Sequence, residues 1–266
     1  MKSVLIGISE DQQREGCWGG KAETEVLLGS FISFDILASA STRSRPILGL
    51  DHIRDLEIFG IDLSGLFGCT NDVMALILQI VLLDNWKKEA EVTRQLSMVE
   101  LVKRGSKVEE RLREKIEELE GIATTEFVSL LDSDHARSAS QIEISRIFAL
   151  SALTYLHVVM SGAHPQLPEI AENVSRTIVA LQHLTDPKLL RSLVWPFCVT
   201  GCLAQEEQHS LIRDLVSKAE ITSLTIGTCF KAFEIIQECW EVRRTCVYNS
   251  DWVFVMNKWG HNVLLV

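Results

Sequence analysis

Apolar positions recur along most of this chain at helical spacing. Val108, Leu112, Ile116 and Leu119 fall at i, i+4, i+8 and i+11, one stripe along an amphipathic helix. Ile170, Val174, Ile178 and Leu181 repeat that stripe behind Pro168, which sits at a natural first helical position. Between Lys21 and Ala40 the positions Val26, Leu27, Phe31, Phe34, Ile36 and Leu37 suit another helix. The run Ser41 to Pro46 ends it, because the residue before a proline leaves the α region. Residues 47–69 are mixed and punctuated by glycine, which predicts short amphipathic pieces. Thr70 or Asn71 can cap a helix with Asp72 in its first turn. That helix, through Leu83, is apolar nearly all round, the mark of a central element. Gly121 reads as the stop of the charged helix before it, and residues 132–140 (DSDHARSAS) as a polar loop. Ile142 to Met160 is a strongly apolar helix closed by Gly162. Asp186-Pro187 reads as cap and first residue of a further helix, with others over about 204–219 and 225–244 and a last one in the C-terminal DWVFVMNKWGHNVLLV.

No hairpin dipeptide separates alternating runs, and no strand–helix alternation occurs. The expectation is an all-α fold, a multi-helix array of packed, mostly antiparallel helices over residues 21–266. Residues 1–20 hold four glycines and no sustained period, and read as a loose N-terminal arm.

Composition narrows the class. The chain has 266 residues, 47% apolar and 23% charged, with only five prolines, which excludes wholesale disorder and leaves room for long helices. Its charge sums to 26 − 36 = −10, against a nucleic-acid surface spread over the whole chain. The densest basic region, 87–120, carries nine Lys and Arg but also nine Glu, with Glu100–Arg104 and Glu109–Arg113 as i,i+4 pairs. It reads as a solvated helical face. The most apolar internal run, Val73 to Leu83, rises about 16 Å as a helix, half a bilayer core, and is read as a core helix with no membrane partner. The N-terminal apolar run, Val4 to Ile8, is shorter than a signal-peptide core. Seven scattered cysteines, an odd number, point to a reducing compartment.

Candidate chemistry is sparse. Around Gly20-Lys21 the phosphate-loop pattern fails, with Glu15 in place of the first glycine and Ala22 where a magnesium-binding hydroxyl belongs. Trp86 beside Lys87 and Lys88 is too little for a nucleic-acid site. Asp132, Asp134 and His135 have ligand chemistry but lie in a polar stretch that reads as a turn. His157, in an apolar helix, reads as a hydrogen-bonded core histidine rather than a ligand or base. Cys198 and Cys202 share a helix face and supply at most half a tetrahedral zinc site; buried thiols behave as small hydrophobes, and the expectation is no bound zinc. No catalytic residue, cofactor or metal ligand is assigned.

Four segments, taken in order, resemble the fungal-specific transcription factor domain, the second such family, found C-terminal to zinc-cluster DNA-binding modules. Phe31 to Thr42 resembles its F-x-x-x-D-h-x-x-S-x-S/T segment, with h apolar. Leu66-Phe67-Gly68-Cys69 resembles its lead into a central helix. Leu193 to Cys202, with Trp195-Pro196 and Gly201, is similar to its W-P signature, followed by the acidic Glu206 and Glu207. Ala232 to Trp240, then Asp251-Trp252, resemble its closing segment. On its own physics, Pro196 starts or bends a helix, Trp195 anchors that bend, and Gly201 lets a neighbouring helix approach.

The resemblance implies a non-enzymatic regulatory region acting in the nucleus through protein contacts, by self-association or with co-regulators, and through a small-molecule effector of unknown identity. The family's zinc cluster rests on six cysteines in C-x-x-C pairs amid Lys and Arg; the first 40 residues here hold one cysteine. Zinc and direct DNA contact are therefore carried to no residue of this chain, which resembles the regulatory portion alone. The alternatives are a helical small-molecule-binding protein, with a pocket lined by His157, cysteines and tryptophans, and a plain helical scaffold.

Overall fold

The computed structural model describes residues 21–48, 51–126, 133–245 and 250–266. Among them are eleven α-helices and two 3-10 helices, and no strand. In chain order they are α1 (Lys21–Thr42), α2 (His52–Phe59), α3 (Ser64–Phe67), α4 (Asn71–Val92), α5 (Met98–Glu126), α6 (Ser133–Ser161) and α7 (Pro168–Gln182). After the 3-10 turn Pro187–Ser192 come α8 (Val194–Cys202), the 3-10 turn Glu206–Gln208, α9 (His209–Lys218), α10 (Cys229–Thr245) and α11 (Trp252–Trp259). The all-α expectation holds. The expected arm, residues 1–20, lies outside the described residues.

Helix α6 is the centre: α4, α5, α7 and α8 all pack on it. Its residues Ile147 to Val159 are buried on every side, serines and threonines included. Its segment Ser138–Ser161 is long and apolar enough to cross a membrane, yet most of it is buried among the other helices. A buried helix needs no polar face, hence the absence of periodicity in its sequence. Around it, α5 and α7 show the opposite pattern. Val108, Leu112, Ile116 and Leu119 of α5, and Ile170, Val174, Ile178 and Leu181 of α7, are buried as their spacing predicts. Beyond its first turns, where Met98, Val99 and Val102 are exposed, the remaining α5 surface is largely charged, and Arg104 and Arg113 pair with Glu100 and Glu109 one turn earlier.

Four details differ from the sequence reading. The 87–120 region is two helices, since α4 continues to Val92 and α5 starts at Met98; Arg94 turns the chain between them with a left-handed φ of 55°. Gly121 does not stop α5, which runs to Glu126. Of the stretch read as a polar loop, residues 133–140 are the first part of α6: they contain no Gly or Pro to break a helix, and Ala136 and Ala139 favour one. The segment after Asp186 is a 3-10 turn, with the Asp186 side chain capping Lys188 N at 2.9 Å.

Candidate functional site

The four signature segments are far apart in sequence, and three of them converge on one buried polar and aromatic hub. It starts where α1 ends. Ser39, Ser41 and Thr42 each donate their hydroxyl to a carbonyl four residues back, at 2.7, 2.6 and 2.8 Å, which lets these small polar side chains sit in an apolar interface. Arg43 then turns the chain with φ 51°, and Ser44 N bonds back to Ser39 O at 3.0 Å, closing the helix as a Schellman turn. Glycine would take that conformation without strain, but only an arginine reaches what lies below.

The Arg43 guanidinium forks onto Asp84 at the end of the apolar run of α4, with Nε to Oδ2 at 3.0 Å and Nη2 to Oδ1 at 2.7 Å. Its Nη1 reaches Asp251, before α11, at 2.7 Å. Lys88 Nζ lies 2.9 Å from Asp84 Oδ2 and also donates to Arg43 O. Tyr155 of α6 donates its hydroxyl to Asp84 at 3.4 Å. Asp251 has a second task, since its Oδ1 accepts Phe254 N at 2.9 Å and caps α11. Trp252 donates its indole N–H to Ser41 O at 2.8 Å. Tyr155 is wedged edge-on between Trp195 and Trp252, with ring centroids 5.9 Å from each, and Phe148 stacks on Trp195. All three central rings are fully buried.

Burial alone would push the Asp84 carboxyl up; the hydrogen bonds and charges of Arg43 and Lys88 outweigh that and hold it below the ordinary carboxylate range. Burial opposes the Arg43 charge as well, but its two carboxylates raise its proton affinity above that of a free guanidinium. The Tyr155 hydroxyl is pushed far up by burial beside the Asp84 charge. Asp84, Arg43 and Tyr155 are thus each held in one protonation state near neutrality, as in a structural lock.

The other signature residues are also structural. Asp35 accepts Ile47 N, Leu48 N and His52 Nε2 at 2.8, 3.1 and 2.9 Å, tying the loop after α1 back onto it. Gly68, with φ 75°, carries Cys69 into α4, and any Cβ there would lie 2.6 Å from Ile144 Cδ1. Ser145 of α6 holds that turn, donating to Gly68 O and accepting Thr70 N, both at 3.1 Å. Pro196 sits in the first turn of α8, where its missing N–H costs nothing. Gly201 lets α10 against α8: a Cβ would meet Ile236 Cδ1 at 2.5 Å, and Trp240 Nε1 donates to Gly201 O at 2.8 Å. The W-P segment and the closing segment are therefore two sides of one helix contact.

Of the residues with candidate chemistry, His157 is buried between α5, α6 and α7. Its Nδ1 is 3.2 Å from Asn173 Nδ2, and its Nε2 is 3.5 Å from Glu109. Cys198 and Cys202 do share a face, with sulfurs 4.0 Å apart. Burial raises the proton affinity of both thiols and of Cys69, Cys229 and Cys239, Cys229 to about 12. Among the described residues no three His, Cys, Asp or Glu side chains gather as a metal site, so these thiols do not fit the six-ligand zinc set. Asp132 lies outside the described residues, as do the side chains of Asp134 and His135. The described cysteines and the two tryptophans of the hub are buried in the core. Two hollows are present at the surface, one of about 400 Å³ beside Trp259 and Glu238 and one of about 300 Å³ beside Arg146 and Arg176.

Sequence reasoning missed Arg43, Asp84 and Tyr155. A lone aspartate closing an eleven-residue apolar run was the available signal, because a carboxylate placed there needs a buried cation.

The chain matches the model of the fungal specific transcription factor domain over residues 8–266, and it belongs to that family. It is 36% identical over 183 residues to the trichothecene biosynthesis transcription regulator TRI10 of Trichoderma arundinaceum, an alignment covering 69% of this chain and 40% of that protein. It is 30% identical over 235 residues to the transcription factor ntnD of a Nectria species, covering 85% of this chain and 38% of the relative. The ustiloxin B cluster transcription factor ustR of Aspergillus flavus is 29% identical over 208 residues, covering 75% and 35%. The chain thus spans about two fifths or less of the length of these relatives. No solved structure matches it.

Proposed function

We infer that this chain is the regulatory, non-enzymatic region of a fungal transcription regulator of the zinc-cluster type, acting in the nucleus through protein contacts. The observation that carries the reading is the destination of the family signature. Ser41, Trp195, Gly201, Trp240, Asp251 and Trp252 are all spent on joining α1, α4, α6, α8, α10 and α11. A signature spent on the interior describes a scaffold whose surfaces carry the specificity, as a regulatory module needs, rather than a reacting centre. The relatives bear names of transcription regulators, which supports the same role here. In this reading the chain holds no zinc of its own, and base recognition belongs to a separate module.

The test is to fuse the chain to a heterologous DNA-binding module in a fungal reporter strain. The fusion should raise or lower reporter output at least several-fold relative to the module alone, and Trp195→Ala should abolish the effect. An inert fusion that is well expressed and folded would overturn the reading. Elemental analysis of the purified chain is expected to give well below one zinc per molecule, and a stoichiometric value would contradict the assignment.

A further inference from the structure

We propose that the groove between α5, α6 and α7 binds a small apolar carboxylic acid, with its carboxylate on Arg146 and Arg176. This rests on the regulatory reading above and supplies a ligand class and a place for its effector. The groove has a volume of about 300 Å³, the lower end of the range for small-molecule sites. Its apolar lining is Leu150, Val179 and Ala180. Leu150 and Ala180 are buried, but Val179 is 53% exposed on a helix whose other large apolar side chains, Ile170, Val174, Ile178 and Leu181, are buried.

The charge at the rim is unbalanced. Arg146 of α6 and Arg176 of α7 both point at a single oxygen of Glu120. Arg176 Nη2 is within hydrogen-bond distance at 3.1 Å, but Arg146 Nη1 is 3.8 Å away. That approach is the Arg146 guanidinium's sole polar contact among the described residues. Two guanidiniums against one carboxylate leave a local positive charge on a molecule whose net charge is −10. A second carboxylate would complete the set by taking the donors of Arg146 in the planar geometry a guanidinium offers. An apolar body attached to it would cover Val179. The size of the hollow favours a small acid over a peptide, which would need a longer track.

The experiment is calorimetric titration of the purified chain with octanoate, octanol and octylammonium, without DNA, so that its outcome is independent of any transcription role. Octanoate should bind saturably at one site, and the alcohol and the amine should not. Arg146→Gln should weaken binding at least about tenfold, the loss of one charge-assisted pair. Val179→Glu should block the groove by placing a carboxylate in it while leaving both arginines. Circular dichroism of both variants should match the parent. Non-saturable octanoate binding, equal binding of octanol, or full affinity in both variants would overturn the proposal. So would binding of an acidic peptide in place of octanoate.

Discussion

Arg43 is the residue on which most of the polar interior depends. It adopts a left-handed conformation at some cost in backbone energy, and it neutralises carboxylates from two distant parts of the chain. Removing it leaves Asp84, whose side chain is 1% exposed, with Lys88 as its only cation among the described residues. Arg43→Met is expected to destabilise by roughly 3 kcal/mol, the lower end of the range for breaking a buried pair. Asp84→Asn added to it should recover part of that loss, since the uncompensated charge is then gone. A double variant less stable than Arg43→Met would refute the pairing. The same pair sets a pH dependence. The folded Asp84 carboxyl lies below its unfolded value of about 3.9, so its stabilisation is fully present above that value. It is lost as pH falls through the lower folded value, and urea denaturation of Asp84→Asn should show a shallower fall in stability below about pH 4 than the parent. Trp195 is the apolar counterpart. Fully buried against Phe148 and Tyr155, it should cost roughly 3–5 kcal/mol on truncation to alanine. An unchanged unfolding midpoint would mean that the ring contributes nothing to the core.

At the scale of elements, legibility followed the kind of packing. Helices half in water, such as α5 and α7, show their stripe in the sequence because one face must be polar. Helix α6 shows none because its centre, Ile147 to Val159, is buried all round, and its first turns, rich in Ser and Ala, carry no apolar stripe and looked like a loop. The W-P signature showed that a bend and a close approach occur near Gly201, but not which helix approaches. That partner is α10, and it follows from Trp240 and Ile236 meeting Gly201, a contact with no local trace in the sequence. The hub was illegible for the same reason: Arg43, Asp84, Tyr155 and Asp251 are joined only by the fold. The α8–α10 contact gives its own prediction. Gly201→Ala gains helix propensity of about 1 kcal/mol, but its Cβ would press on the fully buried Ile236, an overpacking worth typically 1–3 kcal/mol. The net effect should be destabilising in urea titrations, and Ile236→Val in the same chain should relieve it, being closer to neutral there than in the parent background. Additive losses would show that the two side chains do not compete for space.

For the whole molecule the decisive quantity is charge. A protein reads a DNA site only after several phosphate contacts have fixed its register, and each contact needs a cation free to meet a phosphate. Here the net charge is −10. The cations of α4 and α5 are largely engaged: Arg104 and Arg113 with glutamates one turn away, Lys115 with Asp72 and Glu118, and Lys88 with Asp84 in the hub. Arg104 also lies over the Trp86 ring, 4.3 Å from its centroid, so the aromatic beside Lys87 and Lys88 is already covered by the protein's own cation. Lys87 donates to Val159 O at 2.8 Å. Freeing such groups costs the pairs they make, and the surrounding acidic surface slows encounter with a polyanion. Fluorescence anisotropy with promoter and random duplexes at about 150 mM salt should therefore show only weak, sequence-independent binding, with dissociation constants in the nonspecific range of about 1 μM or weaker. Sequence-selective binding tighter than about 0.1 μM would mean that phosphate contacts are being made by a surface other than the α4–α5 face, and the separation between a DNA-reading module and this helical domain would fall.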